Sequence, residues 1–146
     1  MTIKSFRGLI ADDSIETIPL STNDGSTGYR IKKLEIMPKQ SQIDYEITFK
    51  VYKISQTAAD NVVDMSDNTL LAAAFSGLAA GEYAGAKTVI FDNEVFNQDI
   101  NVTLAAGTGA GTSGVNYYIE MEQIKLSLDE NTVATLKDIR NIKQNG

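Results

Sequence analysis

Six residues, GAGTSG at 109–114, spell the glycine pattern G-x-G-x-x-G. In a dinucleotide site such glycines let the backbone close on a pyrophosphate, which sits at the N-terminus of the helix that follows. Here the next residues are VNYYIEMEQ, which alternate with period two and carry two tyrosines, so a strand is expected where the helix should be. Without that helix end the loop reads as a glycine-rich hairpin tip, exposed and mobile between two antiparallel strands. The P-loop pattern fails as well, because no Gly-Lys-Ser/Thr follows.

Carboxylates are the other chemistry-bearing groups. Asp60, Asn61, Asp64, Asp67 and Asn68 fall within DNVVDMSDN, an oxygen-rich stretch of the kind calcium selects. Its spacing matches no EF-hand loop and it lacks the turn glycine, so it reads as a solvated surface loop, with calcium left open. Asp12-Asp13 and Asp92-Asn93-Glu94 read the same way. Glu120 and Glu122, two apart on one strand, share a solvent face opposite Met121. Glycoside hydrolysis would need a carboxylate across a cleft from them, and the sequence offers no such partner. Asn101-Val102-Thr103 is a glycosylation sequon in form only.

Histidine and cysteine are absent from the 146 residues. That excludes zinc, haem and iron–sulfur sites of the usual kinds, and Ser-His-Asp or Cys-His catalysis with them. No cofactor and no metal site is expected, and no enzyme. A net charge of −6 argues against nucleic acid, which wants a basic face. The N-terminal MTIKSFRGLIADD has no long apolar stretch, so neither a signal peptide nor a membrane span is expected.

The elements that would position these residues are mostly strands. DYEITFKVYKI sets Tyr45, Ile47, Phe49 and Val51 on one face and Glu46, Thr48, Lys50 and Tyr52 on the other, a half-buried antiparallel strand. GYRIKKLEIMP slips phase between Ile31 and Leu34, so a bulge near Lys32-Lys33 would turn Tyr29, Ile31, Leu34 and Ile36 all inward; Pro38 ends it. VNYYIEMEQIKL shows a similar slip, with a bulge expected near Glu122-Gln123. ETIPL, with Pro19, suits an edge. KTVIFD and QDINVTLA are strands, and NTLLAAAFSGLAAGEY is ambiguous but read as strand. Ser127 and Glu130 have capping-box spacing before Val133, Leu136 and Ile139, which predicts a short amphipathic C-terminal helix, with an extended arm as the alternative. Seven or eight short strands with turns between them make a mainly β protein: one antiparallel β-sandwich domain over 1–146, jelly-roll-like, with a short C-terminal helix or arm.

STNDGSTGYRIKKLEIMP (21–38), LLAAAF (70–75), TVIFDNEVFNQDI (88–100) and NYYIEMEQIKLSLDENTVATLKDIRN (116–141) resemble segments of small structural proteins of tailed bacteriophages, marine ones in particular. The resemblance covers residues 2–141 and rests on phrases rather than on a catalytic motif. It implies a virion protein made in the bacterial cytoplasm, such as a capsid decoration (cement) protein that binds the major capsid protein and stabilises the head, or another accessory of the head or tail. Partners would be the major capsid protein or other virion proteins, and further copies of the chain, a trimer being one arrangement. No small-molecule substrate is expected. Residues 1–10 and 136–146, which set Lys or Arg beside apolar side chains, are candidate docking arms. Phe6, Arg7, Leu9, Ile10, Tyr52, Tyr118, Leu136, Ile139 and Arg140 are the candidate partner contacts. The alternative is a glycan-binding β-sandwich module of a phage tail or fibre, using outward tyrosines and calcium in the 60–68 loop.

Overall fold

In the computed structural model, residues 2–20, 25–39, 46–79, 82–106 and 114–127 are described, with the side chains of 77–79 and 82–86 left aside. Eight strands run through them: β1 (Thr2–Ile10), β2 (Ser14–Ile18), β3 (Thr27–Pro38), β4 (Ile47–Tyr52), β5 (Leu70–Ala79), β6 (Glu82–Ile90), β7 (Ile100–Ala106) and β8 (Val115–Lys125). They form a three-stranded sheet of order β1-β8-β3 and a five-stranded sheet of order β2-β7-β4-β5-β6, with every ladder antiparallel. The first strand pairs with the last, β2 with β7 and β4 with β5, as in one long hairpin rolled into two layers. That is the jelly-roll-like β-sandwich expected. The exception is β6, which pairs with β5 and only passes beside β3.

The core lies between the sheets. Ile31, Phe49, Leu104, Ile119 and Met121 are among its fully buried side chains. Each such side chain contributes about 1.5–3 kcal/mol by leaving water. Phase slips were legible in one strand and misread in the other. The pairing of β3 with β8 shifts between Ile31 and Lys33, and the bulge turns Tyr29, Ile31 and Leu34 into the core, with Ile36 half-buried. No such shift occurs in β8, whose pairing runs unbroken through Glu122 and Gln123. Ile124 stays on the outer face, half-exposed, and Leu126 is buried only after the strand has ended, where its N–H donates to Ser26 O at 2.8 Å. In their sheet β8 is central and β3 an edge. β2 is an edge, as ETIPL predicted, and the alanine-rich 70–79 stretch is a strand.

Two tight spots fix glycines. Tyr117 crosses to stack on Phe49, with ring centroids 5.3 Å apart, and its ring overlies Gly8, where a Cβ would meet the Tyr117 hydroxyl at 2.7 Å. Gly114 has φ +114, and a Cβ there would lie 3.1 Å from Ile10 O.

Candidate functional site

The glycine-rich run leads into no helix: Val115 begins β8. Residues 107–113, and with them the loop's exposure and mobility, lie outside the described residues. The loop is also not a hairpin tip. β7 belongs to the five-stranded sheet and β8 to the other, where it pairs with β1 and β3, so the two strands are not hairpin partners. The loop's two roots are held by a pair that the sequence reading left as solvated surface. Asp13 Oδ1 accepts from Ala106 N at 3.1 Å and Asp12 Oδ1 from Gly114 N at 3.2 Å, while Asp13 itself sits at φ 56.

Other carboxylates are likewise engaged. In the 60–68 loop, Asp60 binds Lys50 Nζ at 2.6 Å and Val62 N at 3.1 Å, Asp64 caps Ser66, and Asp67 accepts from Thr69 N and Oγ1. Among the described residues no three acidic side chains gather as ligands for a metal. Glu122 meets Arg30 at 2.6 Å, and that hydrogen bond holds its carboxyl below the ordinary value; Glu120 lies 3.8 Å from Lys33. Both partners come from β3, through a register the sequence did not reveal. Glu94, also read as solvated, reaches the buried Lys53 at 3.3 Å.

The outer face of the five-stranded sheet departs furthest from expectation. β4 is buried on both faces, not half-buried, because residues 53–69 fold over its polar side. Lys50 keeps 3% of its side chain exposed, binds Asp60 and Val62 O, and stands 5.4 Å over the Tyr52 ring. Burial disfavours its charge, but the hydrogen bonds to Asp60 and Tyr52 and their charges outweigh this and raise its pKa; the same contact lowers that of Asp60. Asn101 is buried, accepting from Gln56 N and donating to Thr17 Oγ1, which closes the sequon in the folded chain.

The candidate contacts divide accordingly. Ile10 is fully buried, Tyr52 packs with Leu70 and Ala73, and Phe6 is half-buried against the core; each is used by the chain itself, because period-two alternation cannot show which outer face a loop will cover. Residues 2–10 form β1, hydrogen-bonded to β8, rather than a free arm. Leu136, Ile139 and Arg140, with the 136–146 arm and the expected helix, lie outside the described residues. Arg7, Leu9 and Tyr118 do come together. Arg7 is directly opposite Tyr118 in the β1–β8 register, Leu9 is opposite Asn116, and all three line a concavity of about 830 Å³ with Glu35, Met37 and, from β6, Thr88. Tyr117 turns inward and Tyr118 stays half-exposed, as alternation predicted. Met37, 68% exposed, is a lining residue absent from the candidate contacts; its place opposite Leu34 and Ile36 after the bulge was the available signal.

The groove brings Arg7 and Tyr118 together with the exposed Leu9 and Met37; Arg, Tyr and Met are types enriched where proteins meet. Set against known proteins, the chain matches no family model and no curated relative.

Proposed function

We propose that the chain is a non-enzymatic structural protein of a bacteriophage virion, a decoration protein that binds the major capsid protein and stabilises the head. The observation that carries this reading is the meeting of Arg7, Leu9 and Tyr118 with the exposed Met37 around one concavity. Aromatic, Met and Arg side chains are the enriched types at protein contacts. The phage setting itself rests on the sequence resemblance. Particles assembled with and without the protein are compared by cryo-microscopy; the reading expects added density on the capsid surface and loss of binding with Leu9→Glu. Shells that fail to retain the wild-type protein overturn it.

A glycan-binding module is the second reading, favoured by Tyr118 standing beside Asn116 and Glu35 in the same concavity. Tyr52, the other tyrosine among the candidate contacts, is buried. A glycan array with and without calcium tests it, and signal lost in Tyr118→Ala would support it.

A further inference from the structure

The first strand carries more surface than the other described strands use. β1 is nine residues long, stands at the edge of its sheet, and pairs with β8 on one side; no other described strand pairs with its far side. A long edge with unpaired backbone groups is a template for another strand. Its side chains are mostly exposed, including Ile3 and Leu9 at 44% each.

We propose that β1 pairs with β1 of a second copy about a two-fold axis, joining the two three-stranded sheets into one. This goes beyond the virion reading and does not depend on it.

Symmetry and backbone geometry select the register. Along an antiparallel strand, alternate residues bond to alternate sides, so residues facing each other across the new ladder must have the same parity. This forbids the two-fold register that would set Lys4 against Arg7 of the partner. Of the registers that remain, the one with Ser5 facing Ser5 of the partner puts Ile3 against a cation, Arg7. The one centred on Arg7 sets arginine against arginine. The register centred on Phe6 uses all nine residues. It places each Ile3 against the partner's Leu9 on the outer face, and each Lys4 and Arg7 against the small Gly8 and Ser5. The longest overlap and the apolar pairs therefore coincide. Inward and outward cations on an edge strand guard it against indiscriminate pairing. Here Lys4 and Arg7 penalise the neighbouring registers and spare this one. Both arginines stand diagonally across the axis on the outer face, so salt that screens them should tighten the pair.

The chain has no cysteine, which makes the test clean. Sedimentation equilibrium should give twice the 15.8 kDa chain mass with rising concentration, more readily at higher salt. Ile3→Glu and Leu9→Lys should each raise the dissociation constant about tenfold, since each disrupts two symmetry-related pairs. The double variant should restore dimerisation, because the carboxylate introduced on each first strand then meets the ammonium introduced on the other. Phe6→Cys should cross-link under oxidation and Ser5→Cys should not. If Phe6→Cys is too unstable to test, the charge exchange alone decides. A chain that remains monomeric up to its solubility limit overturns the proposal, as does a dimer indifferent to both charge variants. Cross-linking through Ser5→Cys instead overturns the register.

Discussion

The outer faces of the two sheets are built from the same alternation and end differently. On the three-stranded sheet, Arg30, Lys33, Glu120 and Glu122 form pairs between neighbouring strands that remain partly exposed. On the five-stranded sheet, Thr48, Lys50, Asn101 and Thr103 are buried, Lys50 against Asp60 and Val62 and Asn101 against Gln56 of the covering stretch. A charge on the open face is screened by water, and its pairing is worth little. On the covered face every charge needs a partner, because a lone buried ammonium costs several kcal/mol. Alternation therefore sets which side a residue takes, and the loop above it sets what that position costs.

Removing a partner from the covered face is the strongest test of this difference. Asp60→Ala leaves Lys50 under the cover with Val62 O and the Tyr52 side chain but no carboxylate. Breaking a buried pair costs about 3–5 kcal/mol, but Asp60 is 62% exposed and water can reach the vacated site, so about 1–2 kcal/mol is expected from urea unfolding. Lys50→Met removes the charge and keeps the volume, and should stay within about 1 kcal/mol of the wild type. A larger loss in Lys50→Met than in Asp60→Ala would mean that the cover depends on the ammonium rather than on its neutralisation.

The same pair gives a pH signature. Asp60 titrates below its ordinary 3.8 in the folded chain, so its stabilisation is full above that value and is lost as pH falls through the depressed pKa. Lys50 titrates above its ordinary 10.5, so its share is full below that value and is lost as pH rises through the raised one. The stability gap between wild type and Asp60→Ala should be flat near neutrality and close at both extremes. A gap that changes between about pH 5 and 9 would point to another group.

On the open face, Glu122→Ala removes the 2.6 Å contact to Arg30. The loss should be smaller than for Asp60→Ala and should shrink as salt rises, whereas the Asp60→Ala loss should persist, as a pair beneath a cover is screened less. Equal salt sensitivity would erase the distinction between the faces. Thermal melts in low and high salt read it directly.

How far the sequence reached follows from the same contrast. The sandwich, the Lys32-Lys33 bulge and the inward Tyr117 were legible because period-two patterning is local and its breaks are visible. Lys50 and Tyr52 were misassigned because their cover comes from residues further along the chain, whose own polarity looks like that of a solvated loop. Asp12 and Asp13 were passed over for a related reason: the groups they cap, Gly114 N and Ala106 N, lie across the fold. Of the surface contacts, Arg7, Leu9 and Tyr118 could be chosen from sequence as exposed types, but their meeting depends on β1 folding back along β8, the longest-range pairing among the described strands.

The smallest expected effect has the opposite sign. Thr103 is 1% exposed on the covered face, and its Oγ1 is buried without a hydrogen-bond partner. Its hydroxyl gave up water on folding and gained nothing in return, while valine has nearly the same shape and no such group to desolvate. Thr103→Val should therefore be neutral or stabilise by up to about 1 kcal/mol. The equivalent exchange at a hydroxyl that is used, Thr69→Val, loses the bond to Asp67 and should destabilise. If Thr103→Val destabilises as well, the covered face must hold a bridging water at Thr103, and the cover is wetter than the packing over Lys50 implies.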